Sequence, residues 1–578
     1  MRTLARATLP LLIAAAACGD RTPARQGAAA ATDSAGPPEA GGTAVVVEIG
    51  DMEKPSPLVA QTALDGDMYD IMYMGLTRAA WRDGRVAYLT SNDNPMALAY
   101  HWEYVGADSA ALRYRMRTGL RWSDGQPITA ADVVWTYAML ADTQVASPRQ
   151  EDVAQIDSVW AENDSTVLFH FRRRSPEMLF ATSIPIAPKH VYEAAGPAGI
   201  RGHPSIVDPV AHGVVSGAFK VGEWRRGERI VLVPNPTFEP KPHLDRVVIR
   251  VVPEPTTRVV ELRNGTGDFV RGIAFDQVPA LLSGPGGAQI RVEREQRRFW
   301  EYIAYLPSAH PAFADPQVRR ALGMAIDVPG IIRALRMEEF TQPAAGPYSP
   351  IFRDLNDTTR MQPLPFDTVA AKRILDERGW RDTDGDGVRE KNGRPLSFTL
   401  RTNNGNPRRG DVTQIVQQQW KRVGVDARLQ QMELNAFVGS LTGREYEAAL
   451  GSWQVGLSAD ITPLWAPDSP FNIVAWNDPQ GWGLMQQALA QPTAELANPL
   501  WRQAAERIVQ SQPYTWLYYY DQVTLVRDRL RGVRVDSYGA YQNLWEWWIP
   551  RARQGGTGSA GGAPSPAAPG ADTSTGKR

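Results

Sequence analysis

The chain has one cysteine in 578 residues, at position 18. A body without thiols can form neither disulfides nor cysteine-ligated zinc sites, so its own hydrophobic core must hold it together. That body is about 510 residues long, and a chain of this length exceeds a single hydrophobic core. We therefore expect two or three lobes, each stabilised by burial of its own apolar side chains.

The first 18 residues have the pattern of an export signal. Arg2 and Arg6 precede an apolar run over residues 7–17, which is too short to span a bilayer because a membrane helix needs about 20 residues. Small residues then lead to Cys18, as in a bacterial lipobox, with Ala15 in place of the usual leucine. We expect a lipoprotein signal peptide, lipidation of Cys18, and a periplasmic or cell-envelope location with the lipid as the only membrane contact. The alternative is an ordinary signal peptide cleaved nearby.

Both ends of the chain are of low complexity. Residues 19–42 and 553–578 consist mostly of Ala, Gly, Pro, Thr and Ser, and cannot bury enough apolar surface to offset the entropy of ordering. We expect a flexible tether in the first segment and a disordered tail in the second. The formal net charge of −1 gives no indication of nucleic-acid binding, which needs a clustered basic surface.

The body alternates between strand and helix patterns, which predicts an α/β fold. A β-branched run beginning at Thr43 is typical of a buried strand. Thr129 and Asp132 form a capping-box pattern before an apolar helix. Further helices are expected at 368–377 and 411–423.

One segment of the body carries a specific motif. From Leu112 to Tyr137 it reads as a strand, an Arg-x-Gly turn, an aromatic residue, and the run from Asp124 to Val134, Asp-Gly-Gln-Pro-Ile-Thr-Ala-Ala-Asp-Val-Val. This resembles the signature of extracellular solute-binding protein family 5, the dipeptide- and oligopeptide-binding proteins of ABC importers. Similar motifs follow in the family's order, so that the resemblance covers roughly residues 42–552. They are Pro188-Lys-His-Val, Asn235-Pro, the helix from Asp315 to Asp327, and the Trp380 to Gly387 turn.

The resemblance implies a class II-like periplasmic-binding-protein fold. Two lobes would enclose a hinged interlobe cleft, and an extra domain would be inserted in the first. We expect lobe I at 43–300 with the extra domain at about 60–212, lobe II at 301–522, and a return to lobe I at 523–552.

The resemblance also implies a function. The chain would be a monomeric substrate-binding lipoprotein that captures peptides between its lobes and delivers them to a membrane permease with ATPase subunits. We expect no cofactor and no nucleic-acid partner. In peptide-binding members an aspartate close after a tryptophan contacts the ammonium group of the peptide. Here Asp460 follows Trp453 at a stretched spacing, so Asp460 is the candidate, and a solvated loop aspartate is the alternative. Trp453, Trp476 and Tyr305 are expected to line the cleft.

Two alternatives stay open. Leu306 and Pro307 stand where the family often has a phenylalanine–asparagine pair near the cleft, which weakens the case for ordinary peptides. The same fold could bind an oligosaccharide, a metal chelate or an opine-like molecule. It could also serve as a surface or signalling lipoprotein without a transport role.

The sequence offers no pattern typical of catalysis. Its seven histidines form no His-x-x-x-His pair, and there is no Gly-x-Ser-x-Gly elbow. We therefore expect no enzyme. The run Asp382-x-Asp384-x-Asp386 imitates the start of a calcium loop, but the twelfth position is Gly393 rather than glutamate. Stabilisation of a turn, without a metal, is the expected role.

Overall fold

A computed structural model describes residues 36–82 and 84–554. The predicted signal peptide, the lipidation of Cys18, most of the tether and nearly all of the predicted tail lie outside these residues. In the described part of the chain, no helix is long and apolar enough to cross a membrane.

Strands and helices alternate along the body, as the sequence patterns predict. The strands are β1 Thr43–Glu48, β2 Arg78–Arg82, β3 Arg85–Leu89, β4 Ala99–Val105, β5 Ala111–Met116, β6 Ile156–Asn163, β7 Thr166–Phe171, β8 Phe219–Arg225, β9 Arg229–Pro234, β10 Arg246–Val251, β11 Phe269–Arg271, β12 Ile290–Tyr305, β13 Thr341–Pro343, β14 Glu390–Lys391, β15 Arg394–Pro395, β16 Ser397–Asn403, β17 Asp426–Met432, β18 Ala448–Gln454 and β19 Tyr514–Arg527. The helices are α1 Ala63–Met72, α2 Ala130–Ala141, α3 Met178–Ala181, α4 Lys189–Tyr192, α5 Gly196–Gly199, α6 Pro204–Val207, α7 Pro209–His212, α8 Pro255–Asn264, α9 Val278–Ser283, α10 Pro316–Met324, α11 Val328–Ala334, α12 Thr368–Glu377, α13 Pro407–Lys421, α14 Leu434–Thr442, α15 Thr462–Trp465, α16 Pro479–Leu489 and α17 Ala494–Ser511.

One mixed sheet of eleven strands passes through both lobes, in the order β17-β16-β18-β12-β19-β11-β1-β10-β9-β8, with β13 added to β19. In lobe I, β1 pairs in parallel with β10 and β11. In lobe II, β16 pairs in parallel with β17 and β18. Buried β-branched runs such as the one in β1 suit central parallel strands, which are covered on both faces. This confirms the predicted two-lobed α/β fold.

The two longest strands, β12 and β19, join the lobes. They are antiparallel, and residues 290–295 pair with 522–527 in lobe I, whereas 299–304 pair with 514–520 in lobe II. The register shifts between Glu295 and Phe299. Extra residues in one strand of a ladder bend it locally. We therefore place the hinge at this irregularity.

The lobe II part of the sheet is buried on both faces. Trp300 and Tyr302 pack into one hydrophobic cluster, and Phe299 and Ile303 pack into another. This alternation along β12 is the side-chain period of a strand.

The body begins before Thr43. The Gly41 N–H donates to the carbonyl of His243 at 2.7 Å, and the Gly42 N–H donates to the Asp245 carboxylate at 2.9 Å. These residues, assigned to the tether by composition, are hydrogen-bonded to lobe I.

Candidate functional site

A cavity of about 1050 Å³ lies between the lobes, beside the hinge strands. That volume is at the upper end of the range of roughly 300–1,000 Å³ that is usual for small-molecule sites. Its lining comes from both lobes and from the hinge strand β19. The main lining segments are 48–51, 62–64, 271–275, 334–337, 405–408 and 520–524. A bend at the hinge would therefore change its walls.

The strand topology explains where the cavity lies. Glu48 ends β1, Arg271 ends the parallel strand β11, and Asn406 follows the end of β16, and all three residues line the cavity. The carboxyl ends of parallel strands are the usual place for ligands in α/β sheets.

The lobe II wall carries an arginine that shares its carboxylate partner with a second arginine. The Arg408 guanidinium lies 4.7 Å from the ring centroid of Phe275 and 4.9 Å from that of Tyr520. Glu301 is fully buried and accepts a hydrogen bond from Arg409 Nε at 2.6 Å, while Arg408 reaches it only at 3.4 Å. One carboxylate thus serves two arginines.

Arg409 is held more tightly than Arg408. It also donates to Asn403 and to Ser452, each at 2.5 Å. In contrast, the Arg408 Nε is buried without a hydrogen-bond partner. Arg408 lines the cavity, whereas Arg409 does not.

The lobe I wall holds its arginine in a closed ion network. Arg271 donates to Asp67 at 2.7 Å and to Glu48 and Glu295 at 3.2 Å each. Burial raises the pKa of Asp67 to about 7, although Arg271 opposes the shift. The Tyr541 hydroxyl donates to Glu48.

A second polar contact joins the predicted extra domain to lobe II. The Ser458 hydroxyl donates to Glu177 Oε1 at 2.8 Å and accepts the Asp460 N–H at 2.9 Å. Burial raises the pKa of Glu177 to about 7, and the nearby Asp460 carboxylate adds to the shift. Burial also raises the pKa of Asp460, although its Oδ1 accepts the Thr462 N–H at 2.8 Å. The contact is acidic and pH-sensitive.

None of the four residues predicted to bind ligand lines the cavity. Asp460 lies in the acidic contact, and Trp453 is half-buried at the end of β18, where its indole N–H donates weakly to Tyr514 at 3.4 Å. Both lie close to the border of the lobes and stay candidates.

Tyr305 and Trp476 are buried in lobe II. Tyr305 is 0% exposed, and its hydroxyl shares a 2.8 Å hydrogen bond with Thr515. Trp476 is 5% exposed, and its indole N–H donates to Ser511 at 3.2 Å. Both side chains pack in hydrophobic clusters of lobe II with their polar atoms hydrogen-bonded, and their role in binding stays a prediction.

Sequence reasoning missed Arg408, Phe275 and Tyr520. The signal for Arg408 was an Asn406-Pro407 pair, which is a typical helix start with proline in the first turn. The helix was predicted to begin at 411, so the two arginines were read as loop residues. Nothing in the sequence marked Phe275 or Tyr520 as partners of that arginine.

The aspartate run forms the expected turn. The Asp382 carboxylate accepts the N–H groups of Gly385 at 2.8 Å and Gly387 at 3.1 Å. Oxygen atoms of Asp382, Asp384 and Glu390 lie within 4.8 Å of one another. The hydrogen bonds from backbone N–H groups to Asp382 explain the aspartate run as a turn.

Two lobes that share a hinge and enclose a cavity define a solute-binding protein of the periplasmic type. The family model for bacterial extracellular solute-binding proteins, family 5 Middle, matches residues 95–473, and the chain belongs to that family.

The relatives agree with this assignment. The chain is 26% identical over 533 residues to the oligopeptide-binding protein AppA of Bacillus subtilis, covering 90% of this chain and 94% of that protein. The structure of Bacillus subtilis AppA with a nonapeptide matches with a TM-score of 0.71 and 24% identity, covering 89% of this chain and 100% of that one. A periplasmic EDTA-binding protein, EppA, matches with a TM-score of 0.77 and 18% identity, covering 89% and 98%. The two structures share the fold of this chain.

Proposed function

We propose that this chain is the substrate-binding lipoprotein of an ABC importer, and that it captures peptides in the interlobe cavity and delivers them to a membrane permease. The observation that carries the proposal is the cavity of about 1050 Å³ lined by both lobes and by the hinge strand. Closure of hinged lobes around a solute is a known mode of domain motion. Relatives named for oligopeptide binding support peptides as the solute.

The cavity walls suit an extended peptide. An extended ligand can be held through its own backbone while its side chains occupy pockets. The apolar lining includes Ile49, Leu64, Ile273, Met337 and Val523.

The amino end of the peptide has a candidate partner in the acidic contact. Asp460 and Glu177 bring two carboxylates close together, and burial disfavours their charges. An ammonium group would offset that cost through charge-assisted hydrogen bonds. Ser452, whose hydroxyl contacts Arg409 and Tyr520, directly precedes Trp453 in β18. The loop that carries Asp460 therefore starts beside the cavity wall.

A lipid at Cys18 would complete the transport role. A flexible tether between lipid and body would keep the receptor near its permease and raise the effective concentration without a tight docking interface. Mass spectrometry of the mature protein from its native envelope tests this, because a diacylated Cys18 at the amino terminus is expected. A mature chain that starts elsewhere would remove the tether from the proposal.

Isothermal titration against a library of two- to nine-residue peptides tests the main proposal. We expect heat of binding for a subset of peptides, with Kd near the micromolar range or tighter, about −8 kcal/mol. A protein shown by denaturation to be folded that gives no heat with any peptide would remove peptides as the solute.

A metal chelate is the second candidate solute. The cavity lining includes Arg258 and Arg336 beside the ion-paired Arg271 and Arg408, and the structural neighbour EppA is named for EDTA binding. Native mass spectrometry of the protein purified from its own envelope separates the two candidates, because a retained peptide and a retained chelate differ in mass and in metal content.

A further inference from the structure

We propose that the end of lobe I opposite the solute cavity binds the phosphate headgroups of an anionic lipid bilayer. The surface consists of residues 527–534 and 551–553, and we call it the arginine surface. It carries six arginines, at positions 527, 529, 531, 534, 551 and 553. The inference goes beyond solute binding, and the orientation that it implies at the membrane rests on the proposed lipid at Cys18.

The arginine surface lies at the end of the lobe I sheet that is far from the cavity. Arg527 ends β19, which is antiparallel to β11, and its N–H donates to the carbonyl of Asp268 just before β11 at 2.7 Å. Arg529 Nη2 donates to the carbonyl of Thr43, the first residue of β1, at 2.9 Å. The other end of β1, at Glu48, lines the cavity. A partner at the arginine surface can therefore leave the cavity accessible to solute.

A recess of about 470 Å³ opens on the arginine surface. Arg527, Arg529 and Arg553 belong to its lining, together with one acidic residue, Asp528. The planar fork of a guanidinium can bond two oxygens of a phosphate at once. The recess therefore offers the type of donor that a phosphate headgroup requires.

The positive charges of the recess are only partly compensated. Arg529 Nη2 donates to the Asp268 carboxylate at 2.8 Å, so this arginine has a buried counter-ion. Arg527 instead donates to neutral acceptors, the carbonyl of Leu262 at 2.9 Å and the amide oxygen of Gln289 at 3.0 Å. Within residues 36–82 and 84–554, Arg527 forms no ion pair. An anion at the recess would supply the counter-charge that Arg527 lacks.

The surroundings of the recess add positive charge. The side chains of Arg551 and Arg553 also form no ion pair in the described part of the chain, although the Arg551 N–H donates to Glu39. Glu546 pairs with Arg534. Because the whole chain has a formal net charge of −1, the excess of positive charge at this surface is local. Such an excess attracts one face of the body to an anionic bilayer and leaves the rest indifferent.

Both described ends of the chain lie at this surface. Gln554 Nε2 donates to the carbonyl of Ala40 at 3.1 Å, and Arg529 Nη1 donates to the carbonyl of Arg553 at 3.1 Å. About 20 residues separate Cys18 from Ala40. A flexible chain of that length has a root-mean-square span of about 25 Å. The proposed lipid would therefore hold the arginine surface close to the bilayer.

The energetic effect depends on which face is turned to the membrane. Each arginine near an anionic surface strengthens binding about fivefold, and the attraction decays within a Debye length of about 8 Å. A body tethered at one point can otherwise rotate. The arginine surface would thus set its orientation, with the cavity facing away from the bilayer.

The first test measures binding to vesicles without the lipid anchor. The mature chain from residue 18, with Cys18→Ser, is sedimented at about 0.1 M salt with vesicles of phosphatidylcholine alone or mixed equally with phosphatidylglycerol. We expect binding to the mixed vesicles only. The triple variant Arg527→Gln, Arg551→Gln, Arg553→Gln should bind them about 30- to 100-fold more weakly.

The matched control removes the same charge from lobe II. Arg373, Arg422 and Arg428 are exposed there, and their joint substitution by Gln should change binding less than about twofold. Asp528→Asn is a gain-of-function variant, because it removes the acidic residue of the recess and should strengthen binding about fivefold. A folding defect would not produce that gain.

The second test measures orientation and uses the absence of other cysteines. In the Cys18→Ser chain, a fluorophore at Ala552→Cys should be quenched by headgroup nitroxide lipids in the mixed vesicles, whereas one at Lys421→Cys in lobe II should not. Both positions are exposed. Equal quenching at the two positions would overturn the inference.

Two further outcomes would overturn it. They are failure of the unlipidated chain to bind the mixed vesicles, and an equal loss of binding with the two triple variants. Neither outcome would affect the proposed function, since mass spectrometry of Cys18 and the peptide titration use no vesicles. A mature protein without lipid at Cys18 would instead remove the tether from the proposed function and leave the vesicle result standing.

Discussion

The two polar regions at the border of the lobes have opposite character. At the cavity, one buried carboxylate, Glu301, forms ion pairs with two arginines, Arg408 and Arg409. At the acidic contact, burial and the Asp460 carboxylate raise the pKa of Glu177, and the Ser458 hydroxyl donates to Glu177. The first region suits an anion of the solute, and the second suits a cation or a proton. A zwitterionic peptide would match both.

The largest expected effect is on the basic region, in which Glu301 pairs with Arg408 and Arg409. Glu301→Gln leaves two arginines without their buried carboxylate, so the free energy of unfolding should fall by about 3 to 5 kcal/mol in urea denaturation. Glu377→Gln, on the exposed face of α12, is the matched control and should change stability by less than about 0.5 kcal/mol. Equal changes in the free energy of unfolding for the two variants would show that Glu301 does not stabilise the two arginines.

The next effect concerns the acidic region and its pH dependence. The pKa of Glu177 rises from 4.5 to about 7 in the folded protein, so the folded state binds this proton more tightly than the unfolded state does. Stability from this group therefore falls as pH increases from about 4.5 to 7 and stays low above 7. Glu177→Gln should raise the free energy of unfolding by about 2 to 3 kcal/mol at pH 8 and by little at pH 4.

Glu162 provides the control for that result. Arg113 lowers the pKa of this exposed glutamate, so Glu162→Gln should bring no stabilisation at pH 8. A stability gain for Glu177→Gln that is the same at pH 4 and pH 8 would exclude titration of Glu177 as its cause.

A smaller effect is expected for the proposed ammonium partner. Asp460→Asn should weaken binding of peptides with a free amino terminus about tenfold, because a charge-assisted hydrogen bond becomes a neutral one. Titration with acetylated peptides is the comparison. If wild type binds acetylated and free peptides equally, Asp460 has no such role.

The smallest expected effect is that of Tyr305→Phe, which tests whether this side chain contributes to stability or to binding. Tyr305→Phe removes only the hydrogen bond to Thr515, so stability should fall by about 1 kcal/mol and peptide affinity should stay within about twofold. A larger loss of affinity would indicate that Tyr305 contributes to peptide binding.

The fold was more predictable than the site. Helix α12 occupies the predicted residues 368–377, and the Asp132 carboxylate accepts the Thr129 N–H at 2.9 Å, as the capping pattern predicts. Local periodicity and caps act over a few residues, so a sequence displays them directly.

The cavity depends instead on residues that meet only after folding. Phe275 and Arg408 lie in different lobes, and no spacing along the chain relates them. Aromatic side chains raise a related difficulty. Buried aromatic side chains such as Tyr305 and Trp476 stabilise lobe II in the same way that others could line a cleft, and composition does not separate the two.

The shared ladder of β12 and β19 limits how the lobes can move. Sliding one lobe past the other would break many hydrogen bonds at once, whereas bending at residues 296–298 breaks few. The relative position of the lobes is therefore described almost entirely by one angle, the bend at the hinge. A transport partner that senses this angle receives the same signal from every solute that closes the lobes, whatever the side chains of that solute are.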